Sequence, residues 1–124
     1  MSESPRMQRV GDEVRSAIAA ALLRDAADPR LLRVSVTDVR MSPDLRHARV
    51  YWNVVTAEPL SEREQRSFGR AVERAAGFLR KAVATKVALR FVPELVFTYD
   101  ESIERGRHMD ALLASLEIPE SVED

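Results

Sequence analysis

Cysteine is absent from the 124 residues, and histidine and glycine are scarce, with two and four copies. The lack of cysteine excludes disulfides, thiolate metal ligands and thiol nucleophiles, so packing must stabilise the fold. Hydrophobic runs stay well short of the roughly 20 residues that span a bilayer, and residues 1–15 contain no hydrophobic signal segment. We therefore expect a cytoplasmic protein that does not contact membranes.

Patterns that support catalysis or cofactor binding are also missing. None of the glycine-rich phosphate-binding motifs occurs, and no serine lies in a G-x-S-x-G elbow. His47 falls in a predicted turn, and His108 has only Glu104 one helical turn away, which is too few ligands for a metal ion. The carboxylates of Asp100, Glu101 and Glu104 fit the favourable charge of a helix's first turn. The sequence therefore predicts no enzyme activity, cofactor, metal site or small-molecule substrate.

The size and composition of the chain predict a single folded domain. Its residues are 45% hydrophobic and 31% charged, which is enough apolar content for one core. We place the domain at residues 1–116. Residues 117–124 contain Pro119 and four acidic residues, and we predict that they form a disordered tail.

The first half of the chain predicts a helix followed by a β-hairpin. Apolar residues recur every three or four positions from Met7 to Leu23, and the helix should end before Asp28-Pro29. Alternating apolar and polar residues from Leu32 predict a strand with a bulge near Asp38, where the alternation shifts. A turn at residues 42–44 then leads into a second alternating segment, which completes the hairpin.

The second half predicts a long helical stretch, a third strand and a last helix. Ser61 and Glu64 have the spacing of a capping box, so the helical stretch should begin there and continue to about residue 90. After Pro93, the alternation that includes Leu95, Phe97 and Tyr99 predicts a strand with these three residues in the core. The order αββααβ predicts an α+β fold, with helices on one face of a three-stranded sheet.

Charge is distributed unevenly along the chain although the formal net charge is only −1. Residues 62–90 contain eight Arg or Lys against three Glu, whereas residues 91–124 contain two Arg against nine acidic residues. In the helical stretch, arginines recur at intervals of three, four and four, which aligns them on one face. Such a face can be merely solvated, but it is also suited to phosphate and nucleobases. The candidate RNA-binding residues are Arg63, Arg66, Arg70, Arg74, Arg80, Lys81, Lys86 and Arg90.

The helical stretch is too long to be straight. Residues 62–90 would span about 44 Å as one helix, against about 35 Å for a compact chain of this size. Gly77 lies near the middle of the stretch, after Ala75 and Ala76. It can permit a kink, or it can simply let two elements pack closely.

Four segments resemble the bacterial ribosome-binding factor A family over residues 6–116. They are Asp28-Pro29-Arg30-Leu31, VSVTDVRMSPDLRHARVYW, AAGFLR and VPELVFTYDESIERG. The resemblance implies a single type-II KH-like domain in which an interhelical A-x-G kink, here Ala75-Ala76-Gly77, replaces the usual G-x-x-G loop. It favours the kink at Gly77. The acidic C-terminus departs from the more basic extension that is common in the family.

The resemblance also implies a function. Members of the family bind the 30S subunit and its 16S rRNA and assist late subunit maturation and rRNA processing, notably in the cold. We therefore expect a monomeric, non-catalytic ribosome-assembly factor. The alternative is a protein–protein adaptor whose basic face binds an acidic partner.

Overall fold

The computed structural model describes residues 4–24 and 27–123, which form an α+β fold. Helices lie on one face of a three-stranded sheet, and the chain follows the predicted order with an added 3-10 helix at Pro29–Arg33. The elements are α1 (Pro5–Arg24), β1 (Val34–Met41), β2 (His47–Val54), α2 (Glu62–Arg74), α3 (Ala76–Lys86), β3 (Glu94–Tyr99) and α4 (Ser102–Glu123). The α+β fold with a helix-kink-helix, as the type-II KH-like resemblance implies, is confirmed.

The sheet has the strand order β1-β2-β3, with β1 antiparallel and β3 parallel to the central β2. Val36 pairs with Trp52 and Asp38 pairs with Tyr51, so Thr37 is the extra residue of a bulge. The bulge predicted near Asp38 is therefore confirmed. It keeps Val36 and Val39 on the same buried face despite their odd spacing.

The first strand begins two residues later than predicted. Pro29 is in the first turn of the 3-10 helix, and the Asp28 side chain caps it by accepting from the Arg30 N–H at 3.1 Å. This helix buries Leu31 and leaves Leu32 exposed. The assignment of Leu32 to a strand was wrong because the cap and the proline favour a helical turn.

The core lies between the sheet and the first three helices. α1 contributes the buried Val10, Val14, Ile18 and Leu22, which are four of the apolar positions that predicted it. α1 packs against β1 and α3. The close approach to β1 occurs at Gly11, where an added Cβ would lie 2.9 Å from the Val39 carbonyl oxygen.

The helical stretch is two helices that meet at Ala75. The capping box that begins α2 is complete, because the Glu64 N–H donates to Ser61 Oγ and the Ser61 N–H donates to Glu64 Oε1. Ala75 is buried and has φ −83° and ψ −2°, which ends the regular α2 geometry. Gly77 lies within the first turn of α3, without positive φ and with no atom within 4 Å of an added Cβ. The break therefore does not depend on the conformational freedom of glycine.

The last helix, α4, includes part of residues 117–124, the segment for which a disordered tail is predicted. α4 continues to Glu123, since extending an existing helix needs no new nucleation, while residue 124 lies outside the described part of the chain. Met109, Leu112, Leu113 and Leu116 of this helix are exposed. Among the described residues, no helix combines the length and apolar character needed to cross a membrane.

Candidate nucleic-acid interface

Four arginines form an exposed basic face on α2, and we call this the α2 arginine face. They lie opposite Phe68, Ala71 and Val72, which bury the other side of the helix. Within the described part of the chain, none of the four forms a salt bridge. Their charge is therefore available to an external anion. The residues of the face are Arg63, Arg66, Arg70 and Arg74.

The Asp-Pro-Arg-Leu motif positions this face. Arg30 donates through Nη1 to the Ser67 carbonyl and hydroxyl oxygens at 3.0 and 2.8 Å, which ties the 3-10 helix to α2. Its Nη2 pairs with Asp28 Oδ2 at 2.7 Å. Hydrogen bonds from Arg30, with a smaller contribution from the charge of Arg74, hold the pKa of Asp28 below its ordinary value. Arg30 is thus a structural residue that links two elements.

A groove with an aromatic floor runs beside the α2 arginine face, between α2 and the edge strand β3. Its volume is about 470 Å³. Trp52 and Tyr99 meet edge to face, with ring centroids 5.0 Å apart and planes at 76°. Phe97 and Tyr99 are only half-buried, so part of each ring faces the groove. The lining residues are Trp52, Arg66, Gly69, Arg70, Glu73, Arg74, Phe97 and Tyr99.

Such a groove can bind single-stranded nucleic acid. The guanidinium groups of Arg66, Arg70 and Arg74 can pair with phosphate oxygens, and rings beside them can stack on bases. Glu73 lies within the same groove and limits the positive charge there. The groove is open to solvent, and four charged residues lie along it.

The other four predicted RNA-binding residues do not join this groove. Arg80 donates to the backbone carbonyls of Pro93 at 3.2 Å and Val92 at 3.1 Å, so it anchors the segment that precedes β3. Lys81 is exposed on α3. Lys86 lies in a separate cavity with residues of α1, among them Asp12 and Glu13. The basic surface predicted to continue beyond Gly77 is therefore dispersed, because the break between helices redirects the later side chains.

Arg90 lies beyond the end of α3. Its guanidinium carbon is 5.7 Å from the centre of the Phe91 ring. This position is at the Glu94 end of β3, whereas the groove lies at the Tyr99 end. Arg90 therefore belongs to a different surface from the α2 arginine face.

The three residues of the predicted kink have different exposures. Ala75 is buried, Ala76 is half-buried and Gly77 is exposed. The exposed residue of the three, Gly77, follows Arg74 by three positions, so the break adjoins the C-terminal end of the α2 arginine face.

The aromatic floor was missed because Phe97 and Tyr99 were assigned to the core. Trp52 is buried, but Phe97 and Tyr99 lie on an edge strand, where one side of the sheet has no neighbour. The predicted topology could have indicated their exposure. In a sheet of three strands, a strand that pairs with one strand of the hairpin must lie at an edge. Within the described residues, no group of His, Asp and Glu side chains is arranged to hold a metal ion.

The ribosome-binding factor A family model matches residues 6–113 of this chain. The chain belongs to the ribosome-binding factor A family. A relative from Natranaerobius thermophilus, named ribosome-binding factor A, is 40% identical over 116 residues, which cover 93% of this chain and 85% of the relative.

Two structural neighbours carry the same family name. The crystal structure of ribosome-binding factor A from Thermus thermophilus has a TM-score of 0.62 and 28% identity, covering 75% of this chain and 94% of that one. A homology model of the Thermus thermophilus factor, fitted into a cryo-electron microscopy map of a complex with 30S, has a TM-score of 0.59 and 27% identity. It covers 77% of this chain and 96% of that one. The chain therefore shares its fold with these ribosome-binding factor A structures.

Proposed function

We propose that this protein is a non-catalytic ribosome-assembly factor that binds the 30S subunit and its 16S rRNA during late maturation and rRNA processing. The observation that carries the proposal is the α2 arginine face above an aromatic floor. This combination supplies both phosphate binding and base stacking, which single-stranded RNA recognition uses. The fitted complex of the Thermus thermophilus factor with 30S also supports it.

The proposed rRNA contacts are centred on α2. Arg63, Arg66, Arg70 and Arg74 bind phosphates along the groove, and Lys81 extends the contact onto α3. The break at Ala75-Ala76-Gly77 takes the place of a G-x-x-G loop, and its exposed backbone lets the RNA approach closely. Arg80 stabilises the interface indirectly, because its hydrogen bonds anchor the segment before β3.

The proposal includes a monomeric protein that acts in the cytoplasm and matters most in the cold. The monomeric state is supported by the core, because one chain completes the core between the sheet and α1, α2 and α3. Slower subunit maturation at low temperature in cells that lack the protein is the expected consequence.

The first prediction concerns the salt dependence of rRNA binding. Replacement of Arg70 or Arg74 by alanine should weaken binding to purified 16S rRNA and lower the slope of log affinity against log salt by about 0.7 for each lost phosphate contact. Binding is measured across a salt series with the full chain. Arg24→Ala, which removes an exposed arginine in the last turn of α1, is the charge-matched control and should leave the slope unchanged.

Two results would contradict the proposed face. If Arg70→Ala and Arg74→Ala both bind 16S rRNA as the parent does, α2 is not the RNA contact. If they bind naked rRNA normally but lose binding to 30S particles, the basic face meets an acidic ribosomal protein, which is the adaptor function.

A further inference from the structure

A second exposed cluster of arginine and aromatic side chains lies at the other end of β3. The Phe91 ring is 49% exposed, and the guanidinium carbon of Arg46 lies 4.3 Å from its centre. Arg90 approaches the same ring at 5.7 Å. With Arg6 they line a cavity of about 370 Å³ between the hairpin turn, α1 and the segment before β3. We call Arg6, Arg46, Arg90 and Phe91 the Phe91 cluster.

The cluster carries excess positive charge. Asp44 is the one acidic residue that lines the cavity, against three arginines. Its carboxylate accepts from the Ser42 hydroxyl at 2.7 Å and from the Arg46 N–H at 3.0 Å. The carboxylate is therefore hydrogen-bonded within the hairpin turn. These bonds keep the pKa of Asp44 below its ordinary value, which maintains the negative charge within the turn. The guanidinium groups remain exposed and can bind an external anion.

The residue before Arg46 in the hairpin turn has an unusual backbone conformation. Leu45 has φ 62°, a conformation that bulky residues rarely adopt, and its side chain is buried in the core. The Leu45 N–H donates to the Ser42 carbonyl at 2.9 Å, and the Arg46 carbonyl accepts from the Glu94 N–H at 2.8 Å. A strained residue of this kind persists only where its surroundings hold it, and such residues concentrate at functional sites. Arg46 follows Leu45 directly, and its exposed side chain lies over the Phe91 ring.

We propose that the Phe91 cluster is a second RNA contact, which stacks an unpaired base and binds the adjoining phosphate. The inference rests on the proposed function, because it assumes that the chain binds rRNA. The Arg46 guanidinium lies over one face of the exposed Phe91 ring. Together the ring and the guanidinium offer a flat surface for a base, and the outer edges of the arginines pair with phosphate oxygens. An acidic protein partner would pair with the arginine side chains but would gain little from contact with the Phe91 ring.

The two contacts are far enough apart to act separately. The five steps from Glu94 to Tyr99 span about 16 Å at roughly 3.3 Å per residue. The Phe91 cluster lies at the Glu94 end, and the α2 groove lies at the Tyr99 end. An RNA strand that follows the exposed edge of β3 reaches both. Because substitutions at this separation usually act additively, each contact can be removed without the other.

The test measures 16S rRNA affinity across a salt series for full-length Phe91→Leu, Phe91→Tyr, Arg46→Ala and Arg90→Ala proteins, with Arg24→Ala as the control. Phe91→Leu should lower affinity about 5- to 100-fold without changing the salt slope, since stacking releases no counterions. Phe91→Tyr should retain most of the affinity because the ring is kept. Arg46→Ala and Arg90→Ala should each lower the slope by about 0.7.

The outcomes separate this proposal from the function on which it rests. If the Phe91 and Arg46 variants bind rRNA as the parent does while Arg70→Ala weakens binding, the cluster is not an RNA contact and the proposed function stands. If variants of both surfaces bind unchanged, the proposed function fails with it. If the Phe91 variants lose 30S binding alone, the cluster meets protein and the RNA proposal is overturned.

Thermal melting controls for folding, and the half-exposed Phe91 ring lies outside the buried core. Should Phe91→Leu melt early, Arg46→Ala decides the question, because the Arg46 side chain is exposed. Ultraviolet cross-linking of 16S rRNA to the protein gives a second readout. A cross-linked peptide containing Phe91 supports stacking, and cross-links restricted to α2 and β3 overturn it.

Discussion

At the scale of single residues, two glycines show why position decides the role of a residue. Gly77 was expected to permit a kink within Ala75-Ala76-Gly77, and the regular α2 geometry ends at the first of these residues, Ala75. Gly11 carries no local sequence signal, yet α1 approaches β1 closely at this residue. Its neighbour Val39 is 28 positions away, so the contact depends on tertiary packing that local sequence patterns do not contain.

Gly11→Ala should destabilise the protein. The new Cβ would lie 2.9 Å from the Val39 carbonyl oxygen, and a backbone atom of the sheet cannot move away cheaply. Alanine gains about 1 kcal/mol of helix propensity. We expect the clash to exceed this gain and the free energy of unfolding to fall by about 1–3 kcal/mol in urea titration. A Gly11→Ala protein more stable than the parent would contradict the close approach.

Gly77→Ala should have the opposite effect on stability. Its Cβ meets no atom within 4 Å and its φ is not positive, so the helix-propensity gain of up to about 1 kcal/mol is unopposed. Circular dichroism should show unchanged helix content. We expect weaker co-sedimentation with 30S particles nevertheless, because the methyl group occupies the exposed backbone proposed to meet rRNA. Undiminished co-sedimentation would remove Gly77 from the interface.

At the scale of elements, short sequence patterns predicted those features that interactions between nearby residues determine. The capping box at Ser61 and the bulge near Asp38 were found because each has a pattern within a few residues. Leu32 was misassigned, since its strand-like alternation competes with the cap of a 3-10 helix. The aromatic groove could not be predicted in the same way. It forms where α2 passes an edge strand, and neither element specifies this alone.

Asp100 joins three elements, and its replacement by asparagine should make stability depend less on pH. Its carboxylate accepts from the Thr37 hydroxyl of β1 at 2.5 Å and from the Ser102 N–H of α4 at 2.9 Å, and its own N–H donates to the Trp52 carbonyl. The first two bonds lower the pKa of Asp100 in the folded state. The ionised carboxylate therefore stabilises the fold above about pH 4, and this contribution is lost as pH falls through the lowered pKa.

Urea titrations at several pH values measure this difference. Asp100→Asn should be less stable than the parent at pH 7, and the gap should narrow below about pH 4. The carboxylates of Asp28, Asp44 and Glu64 also have lowered pKa values, but both proteins contain them, so the difference isolates Asp100. A gap that stays constant down to about pH 2 would mean that the ionised form has no special role.

At the scale of the whole molecule, core and interface share residues along β3. Leu95, Phe97 and Tyr99 pack against the core from the same face of this strand, as their alternation predicted. Phe97 and Tyr99 also line the α2 groove, whereas Leu95 does not. Their partial exposure follows from the edge position of β3, which α2 and α3 cover incompletely. The same topology that completes the sheet thus leaves aromatic surface beside the α2 arginine face.

Phe97→Ala and Leu95→Ala should separate these two roles. Both remove partly buried apolar volume from one strand face, so each should lower the free energy of unfolding by about 2–3 kcal/mol, toward the low end for such truncations. Only Phe97→Ala should also weaken binding to 16S rRNA, because it removes part of the aromatic floor. Binding is measured below the melting temperature of both variants. If Phe97→Ala melts early but retains full rRNA affinity, the ring serves the core alone, and the arginines of α2 act without a stacking surface.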